Sequence, residues 1–136
     1  MKAIDYALLT GRLSVLPLFL FSFIWKVADI GALTGALAAK GFRYPALLAV
    51  VAAAGEISGA LALALGIVTR LAAACLIVYT VLVTITIHDF WMVQGPAWQA
   101  QAINFLKNIG FVGVFAMIGI IGPGRLSLDY VIWRKA

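Results

Sequence analysis

The sequence predicts an all-α integral membrane protein, a four-transmembrane-helix bundle with a short interfacial helix between helices 1 and 2. Of its 136 residues, 65% are hydrophobic and only 11% are charged, and its mean hydropathy is +1.10. Four apolar stretches each reach the roughly 20 residues that a helix needs to cross the hydrocarbon core of a bilayer. A soluble domain of this length would need a largely polar exterior, so the composition excludes one.

The ends of the four stretches carry residues that start or stop helices. Pro45 suits the first turn of a helix, where its missing N–H costs little. Gly66 suits a helix end, and Gly122-Pro123-Gly124 stops the last stretch abruptly. The predicted spans are Tyr6–Ala28, Pro45–Gly66, Leu71–Trp91 and Ala102–Ile121, within one domain that comprises residues 1–136. A cleaved signal peptide is the alternative for the first stretch, and we expect a retained span.

Two shorter segments are predicted to lie in the membrane interface. Residues 29–43 are too short and too polar to cross, but Ile30, Leu33 and Leu37 recur at helical spacing. They predict the short interfacial helix between helices 1 and 2. After the fourth span, a smaller surface-lying tail is predicted from the apolar residues Leu126, Leu128, Val131 and Ile132.

The basic residues predict an orientation, because four spans place both termini on one side. That side carries Lys2, Arg70, Arg125, Arg134 and Lys135. The opposite loops carry Lys40 and Arg43, with Lys26 and Lys107 at the membrane edge. The positive-inside rule then predicts cytoplasmic termini. The net charge of +5 is spread between apolar runs, as in loops that face anionic lipid, so no nucleic-acid partner is expected.

The chain has few residues that could bind a metal. It has one cysteine, Cys75, and one histidine, His88. A single cysteine cannot form an intrachain disulfide. One cysteine with one histidine cannot form a usual zinc or iron–sulfur site. We therefore expect no metal and no cofactor held by this chain alone, and a partner chain would have to carry any redox metal.

Charged side chains inside a bilayer cost several kcal/mol unless they are paired or hydrated, so each one is a candidate functional residue. Arg12 and Glu56 lie deepest in their spans, at similar depths when the helix rise of about 1.5 Å per residue is counted. We predict that they form a buried ion pair. The pair would either lock two helices together or leave Glu56 able to take up a proton or bind a ligand.

A second polar layer is predicted near the surface opposite the termini. We name this set of candidate binding residues the distal polar cluster: Lys26, His88, Asp89, Trp91, Asn104, Lys107 and Asn108. A shallow polar pocket formed by these residues under an aromatic rim would suit the headgroup of a quinone or another small amphiphile. The simpler alternatives are snorkelling for Lys26, interface anchoring for Trp91 and a satisfied interfacial histidine for His88. No catalytic residue is assigned.

Several sequence runs, in chain order, resemble a DoxX family protein over nearly the whole chain. They are Gly11-Arg12-Leu13, Lys26 with the later Ala39-Lys40-Gly41, Glu56, the run Gly66-Ile67-Val68-Thr69-Arg70-Leu71-Ala72-Ala73, then His88-Asp89-Phe90-Trp91, Asn104-Phe105-Leu106-Lys107-Asn108, and Gly122-Pro123-Gly124-Arg125-Leu126-Ser127-Leu128-Asp129. The run Phe23-Ile24-Trp25 departs from the family, where small residues including glycine are common. Its bulk would narrow a pocket beside Lys26.

The resemblance implies a small multi-pass protein of the bacterial cytoplasmic (inner) membrane. DoxX relatives are associated with quinone-linked oxidation of sulfur compounds and with membrane oxidoreductase complexes that handle oxidative stress. The residues carried over as motif positions are Arg12, Lys26, Glu56, His88, Asp89, Asn104, Lys107 and Asn108.

Three functions follow as hypotheses. The first is a membrane subunit of a quinone-linked oxidoreductase complex, in which a shallow polar site near the outer face holds a quinone or a small anion. The second is a non-catalytic assembly subunit bound to other membrane protein subunits. The third, ranked last, is a small-molecule permease, since four helices form only a narrow path and no inverted repeat is visible.

Overall fold

The computed structural model describes residues 2–133, and these residues form helices and short connections without a strand. Four helices are long and apolar enough to cross a membrane, which confirms the predicted fold class. The short helix between the first two spans is also present. The elements are α1 (Ala3–Ala28), α2 (Ile30–Ala39), α3 (Pro45–Leu65), α4 (Thr69–Ile87), a 3₁₀ turn (Phe90–Met92), α5 (Pro96–Ile121) and α6 (Leu128–Trp133).

The ends of the last two spans differ from the prediction. Helix α4 stops at Ile87, and the chain continues through a loop into the 3₁₀ turn rather than to Trp91 as one helix. Helix α5 begins at Pro96 instead of Ala102, after Gly95 at φ +68°. Hydropathy missed this first turn and a half because it contains polar glutamines. With 26 residues, α5 is about 39 Å long.

The long helices pack in the order α1, α3, α4 and α5, each mainly against its neighbour in that order. Small residues allow close approach between α3 and α4: a Cβ added at Gly59 would lie 2.9 Å from a Leu76 methyl carbon. Helices α1 and α5 meet through aromatic rings, with Phe19 in edge contact with Phe111 and Phe115. The buried core consists of Val15, Phe19, Ala60, Leu63, Ala73, Leu76, Phe115 and Ile118.

Both ends of the described chain lie at one end of the bundle, which we name the terminal end. The backbone N–H of Arg125 donates to Asp5 Oδ1 over 2.9 Å, which joins the tail to the start of α1. The tail also returns to the α3–α4 turn, where Asp129 N donates to Gly66 O over 2.7 Å. The opposite end, formed by the loops after α1 and α4, is named the distal end. Arg134 and Lys135, counted in the orientation prediction, lie outside the described residues.

Asp129 caps helix α4 from a distance of 60 residues in sequence. Its carboxylate accepts hydrogen bonds from Val68 N at 2.7 Å, Thr69 N at 2.8 Å and Thr69 Oγ1 at 2.7 Å. The two backbone N–H groups are donors that a helix start leaves unpaired, and the helix dipole favours an anion there. Burial alone would raise the pKa of the Asp129 carboxyl. The hydrogen bonds from Thr69 and Val68, together with the Arg12 charge, outweigh burial and lower that pKa.

Lowering the pH is expected to remove the stabilisation that Asp129 provides. Because its folded pKa lies below the unfolded value of about 3.9, the stabilisation is complete above that value and is lost as the pH falls through the folded pKa. The Asp129→Asn variant lacks this contribution at every pH and loses about 1 kcal/mol of capping near neutrality. The check is the unfolding temperature in mild detergent, which should fall less for the variant between about pH 6 and about pH 3. Equal falls would contradict the prediction.

Candidate functional site

The charged network at the centre of the site joins three helices. Lys26, in the last turn of α1, donates to Glu56 on α3 and forms an ion pair with it. The Lys26 ammonium also donates to Ser22 Oγ at 2.9 Å and to the Tyr79 hydroxyl on α4 at 3.0 Å. All three of its N–H groups are therefore satisfied. We name Lys26, Glu56, Tyr79 and Ser22 the lysine–glutamate network.

The predicted ion pair between Arg12 and Glu56 is wrong. Arg12 is fully buried, but its guanidinium donates to backbone carbonyls, namely Leu63 O at 3.4 Å, Ala64 O at 3.3 Å and Leu126 O. It thereby ties the C-terminal end of α3 to the tail. Glu56, which is only 3% exposed, pairs with Lys26 instead. Arg12 therefore stabilises the terminal end of the bundle through its hydrogen bonds to backbone carbonyls.

The direction in which helical side chains lean explains this pairing. Side chains lean toward the N-terminus of their own helix. Because α1 and α3 run in opposite directions, Lys26 leans into the bundle and Glu56 leans toward the distal end, so the two approach each other. Arg12 leans away from Glu56 and reaches the last turn of α3. Leu63 O also accepts from Gly66 N at 3.1 Å. The carbonyls at this helix end carry partial negative charge, which favours the Arg12 cation.

The other members of the distal polar cluster lie in the loop after α4 and on α5. Lys107 Nζ donates to Asn104 Oδ1 at 2.9 Å, and its charge interacts with those of Lys26 and Glu56 across the bundle. His88 Nδ1 lies 2.8 Å from Gln101 Oε1. With Nδ1 donating to that amide oxygen, the His88 Nε2 lone pair remains available to a ligand.

Asp89 has a separate partner from the rest of the cluster. It forms an ion pair with Lys40, the residue that ends α2, so the loop after α4 is joined to the loop before α3. Asp29 caps α2, accepting from Ala32 N at 3.0 Å. These carboxylates therefore order the distal loops rather than neutralise the lysines that face the site.

Four aromatic side chains pack against one another at the distal end. Phe90 contacts Trp91, Trp98 and Phe105 in edge-to-face geometry, with ring centroids 5.3, 6.0 and 5.3 Å apart. Trp91 and Trp98 remain 55% and 48% exposed, as expected of side chains in an interfacial aromatic belt. Ile24 and Trp25, from the bulky run in α1, are largely exposed. Phe23, the remaining residue of that run, is half-buried.

Tyr79, Ser22 and Gln101 are members of the site that the sequence reasoning missed. Only charged residues, asparagines and aromatic rings were weighed there, and hydroxyl groups in apolar runs were not. Tyr79 carried a usable signal, because a phenol in the middle of an apolar helix needs a hydrogen-bond partner when it is buried. Among residues 2–133, no group of three or more His, Cys, Asp or Glu side chains could hold a metal ion.

The fold and these residues define a class: small polytopic membrane proteins with a lysine–glutamate ion pair near one end of a four-helix bundle. Comparison with known proteins gives the family. The DoxX family matches residues 7–89, more than half of the chain, and the chain belongs to that family. This confirms the resemblance seen in the sequence runs.

Two relatives from Escherichia coli strain K12 are similar over most of their length. The chain is 33% identical to inner membrane protein YphA over 122 residues, which cover 90% of this chain and 87% of the relative. It is 26% identical to inner membrane protein YqjF over 143 aligned positions, which cover 98% of each. No solved structure matches the chain.

Proposed function

We propose that this protein is a subunit of a quinone-linked oxidoreductase complex in the bacterial cytoplasmic membrane, with its termini in the cytoplasm. Its distal site would hold the quinone headgroup near the outer face. Electrons would come from a redox centre in a partner chain, because reduction of a quinone to a quinol takes two electrons and two protons. The names of the two inner-membrane relatives support the location.

The observation that carries the proposal is the lysine–glutamate network. Quinone oxygens accept hydrogen bonds, and Lys26 and Tyr79 are held in fixed positions by packed helices. The Tyr79 hydroxyl, which accepts from Lys26, has a proton of its own to donate, and Lys26 would exchange Ser22 or Tyr79 for the quinone oxygen. Glu56 beside them is a carboxylate able to exchange a proton with a bound ligand. The Lys26 side chain is 21% exposed whereas that of Glu56 is 5% exposed. A headgroup would therefore meet Lys26 before Glu56.

A Tyr79→Phe substitution tests quinone binding directly. It removes one hydroxyl and keeps the ring. Losing one hydrogen bond of about 1.4 kcal/mol weakens binding about tenfold, so we expect about a tenfold lower quinone occupancy. The measurement is extraction of quinone from protein purified from native membranes in mild detergent, with mass spectrometry of chains that co-purify. Tyr6→Phe is the matched control, because Tyr6 is 52% exposed at the terminal end.

Two outcomes would contradict the proposal. Protein that retains no quinone, and cannot reduce added quinone with any donor, would count against the quinone assignment. Protein that retains a stoichiometric partner chain whose turnover is unchanged by Tyr79→Phe would indicate the assembly role instead. One observation favours that second function: no atom lies within 4 Å of a Cβ added at Gly55, so this exposed face of α3 could receive another helix closely.

A further inference from the structure

Lys107 differs from the other charged residues that lie deep in the spans. Arg12 and Glu56 are buried in the bundle, whereas the Lys107 side chain is exposed. Its ammonium donates to the neutral side chain of Asn104 at 2.9 Å. Among residues 2–133, no carboxylate lies within ion-pairing distance of Lys107, since the two ion pairs there are formed by other lysines.

Lys107 lies inside the hydrocarbon region rather than at its edge. Helix α5 ends at Ile121, 14 residues after Lys107, which places the two Cα atoms about 21 Å apart along the helix. The hydrocarbon core is about 30 Å thick, so Lys107 Cα lies about 9 Å inside the distal boundary when Ile121 marks the opposite one. A cation at this depth is costly unless water, a headgroup or a carboxylate meets it.

Lys107 belongs to a row of residues along the outside of α5. The row has the alternating spacing of four and three residues that packs one helix on another at a small crossing angle. Its members are Ile103, Lys107, Gly110, Val114, Met117 and Ile121. Val114 is half-buried, and the other five are exposed. We name this row the lysine face of α5.

The lysine face points away from the helix on which α5 packs. A Cβ added at Gly119 would lie 3.5 Å from Ala73 Cβ on α4, so Gly119 marks the side of α5 that contacts α4. At about 100° per residue, the lysine face is centred about 160° around the helix from Gly119. Helix α5 is also the least buried of the four spans. The lysine face is therefore free to receive a further helix.

A partner helix could approach this face closely at the level of the lysine. Gly110 follows Lys107 by about one turn, and no atom lies within 4 Å of a Cβ added at Gly110. In lipid, glycine lets helix backbones approach, and polar groups between helices then stabilise the contact. An apolar row would need only lipid around it. The cation beside the glycine is what indicates a protein partner.

The counter-ion of Lys107 has to come from another chain. The chain has five acidic residues, and each already accepts hydrogen bonds from other groups. They are Asp5, Asp29, Glu56, Asp89 and Asp129. Glu56 attracts Lys107 as well as Lys26, but its ion pair is with Lys26, and one carboxylate cannot neutralise two lysines.

We propose that the lysine face of α5 binds a transmembrane helix of a different subunit, and that this helix carries an aspartate or glutamate at the depth of Lys107. The carboxylate accepts a hydrogen bond from the Lys107 ammonium, and the partner backbone packs on Gly110. A second copy of this chain would bring only the same lysine and carboxylates that are already engaged. The inference rests on the proposed function only in requiring a partner chain, and it names the surface that holds that chain.

The test measures binding of designed transmembrane peptides to the full-length protein in phosphatidylcholine vesicles. The peptides consist of leucine and alanine and carry one aspartate, asparagine or lysine about 9 Å inside one boundary of the hydrocarbon core. Energy transfer between a dye on the protein and a dye on the peptide reports binding. We expect the aspartate peptide to bind at least about tenfold more tightly than the other two, since it gains a charge-assisted hydrogen bond. Lys107→Leu should remove this preference, and Lys107→Asp should transfer it to the lysine peptide.

Two glycine substitutions locate the docking surface. Gly110→Ile fills the lysine face and should weaken binding of the aspartate peptide at least about tenfold, because the backbones can no longer approach. Gly55→Ile is the matched control: a Cβ added at Gly55 also meets no atom within 4 Å, but it lies on α3. Circular dichroism checks the helical content of each variant. Because the vesicles contain no quinone, the result is independent of the quinone retention that tests the proposed function.

Each outcome supports or overturns the inference. A preference that follows the charge at position 107 and is lost in Gly110→Ile supports it. Equal binding of the three peptides, or unchanged binding of the aspartate peptide by Lys107→Leu, would overturn it and assign Lys107 to contact with lipid headgroups. Loss of binding in Gly55→Ile alone would overturn it and move the docking surface to α3. Self-association of the protein that displaces the aspartate peptide would overturn it and assign the lysine face to a second copy.

Discussion

Substituting Gly66 by alanine is expected to lower the free energy of unfolding by about 3 kcal/mol or more. Gly66 has φ +69°, a conformation that strains any residue with a side chain. A Cβ there would lie 2.0 Å from Arg12 Nη1 and 2.5 Å from Ser127 Cβ. Arg12 would have to move, and it would then lose its hydrogen bonds to the α3 carbonyls in a fully buried position.

Gly55→Ala is the matched control for this substitution. Gly55 lies within helix α3, and nothing is within 4 Å of a Cβ added there. Alanine should therefore be neutral or should stabilise the helix by about 0.5–1 kcal/mol. Both variants can be compared by denaturant titration in mild detergent, followed by tryptophan fluorescence. Similar stability for the two variants would refute the account of the terminal end.

The second large effect is expected from Glu56→Gln. The carboxylate is almost completely buried and is the counter-ion of Lys26. Removing one partner of a buried ion pair leaves an uncompensated charge and costs about 3–5 kcal/mol. Here the cost is increased because Lys107, a second cation, interacts with the same carboxylate. The measurement is again the free energy of unfolding in detergent, which should fall without loss of helical content.

Double-mutant cycles identify the partner of Glu56. Adding Lys26→Met to Glu56→Gln should recover much of the lost stability, because no unpaired charge then remains in the pair. Adding Arg12→Met should instead give additive losses, since Arg12 binds backbone carbonyls and not Glu56. A larger coupling energy for Arg12 with Glu56 than for Lys26 with Glu56 would restore the pairing that sequence reasoning predicted.

The helices were predictable because their signals are local. Apolar length, Pro45 at a helix start and Gly66 at a helix end can each be evaluated from a few neighbouring residues. The start of α5 was missed by six residues, because its first turns contain Gln99 and Gln101. Hydropathy treats such residues as loop, although Pro96 beside Gly95 is itself a helix-start signal.

The sequence predicted which residues belong to the candidate site better than it predicted which of them pair. Counting expensive polar residues found Lys26, Glu56 and Lys107, whose charges do interact in the structure. Tyr79 was not found, because that count left out hydroxyl groups in apolar runs, and its partner Lys26, 3.0 Å away in the structure, is 53 residues distant in sequence. The capping role of Asp129 was also missed, because Asp129 lies 60 residues from the start of α4 in sequence.

The sequence by itself determined that the chain is a four-helix membrane protein, that it belongs to the DoxX family, and which polar residues lie within the spans. Those properties depend on composition and on local order along the chain. Only the tertiary structure decided which groups meet. Lys26 rather than Arg12 pairs with Glu56, because side chains on antiparallel helices lean in opposite directions. Arg12 instead reaches the carbonyl of Ala64, which lies eight residues, or about 12 Å of helix, beyond Glu56.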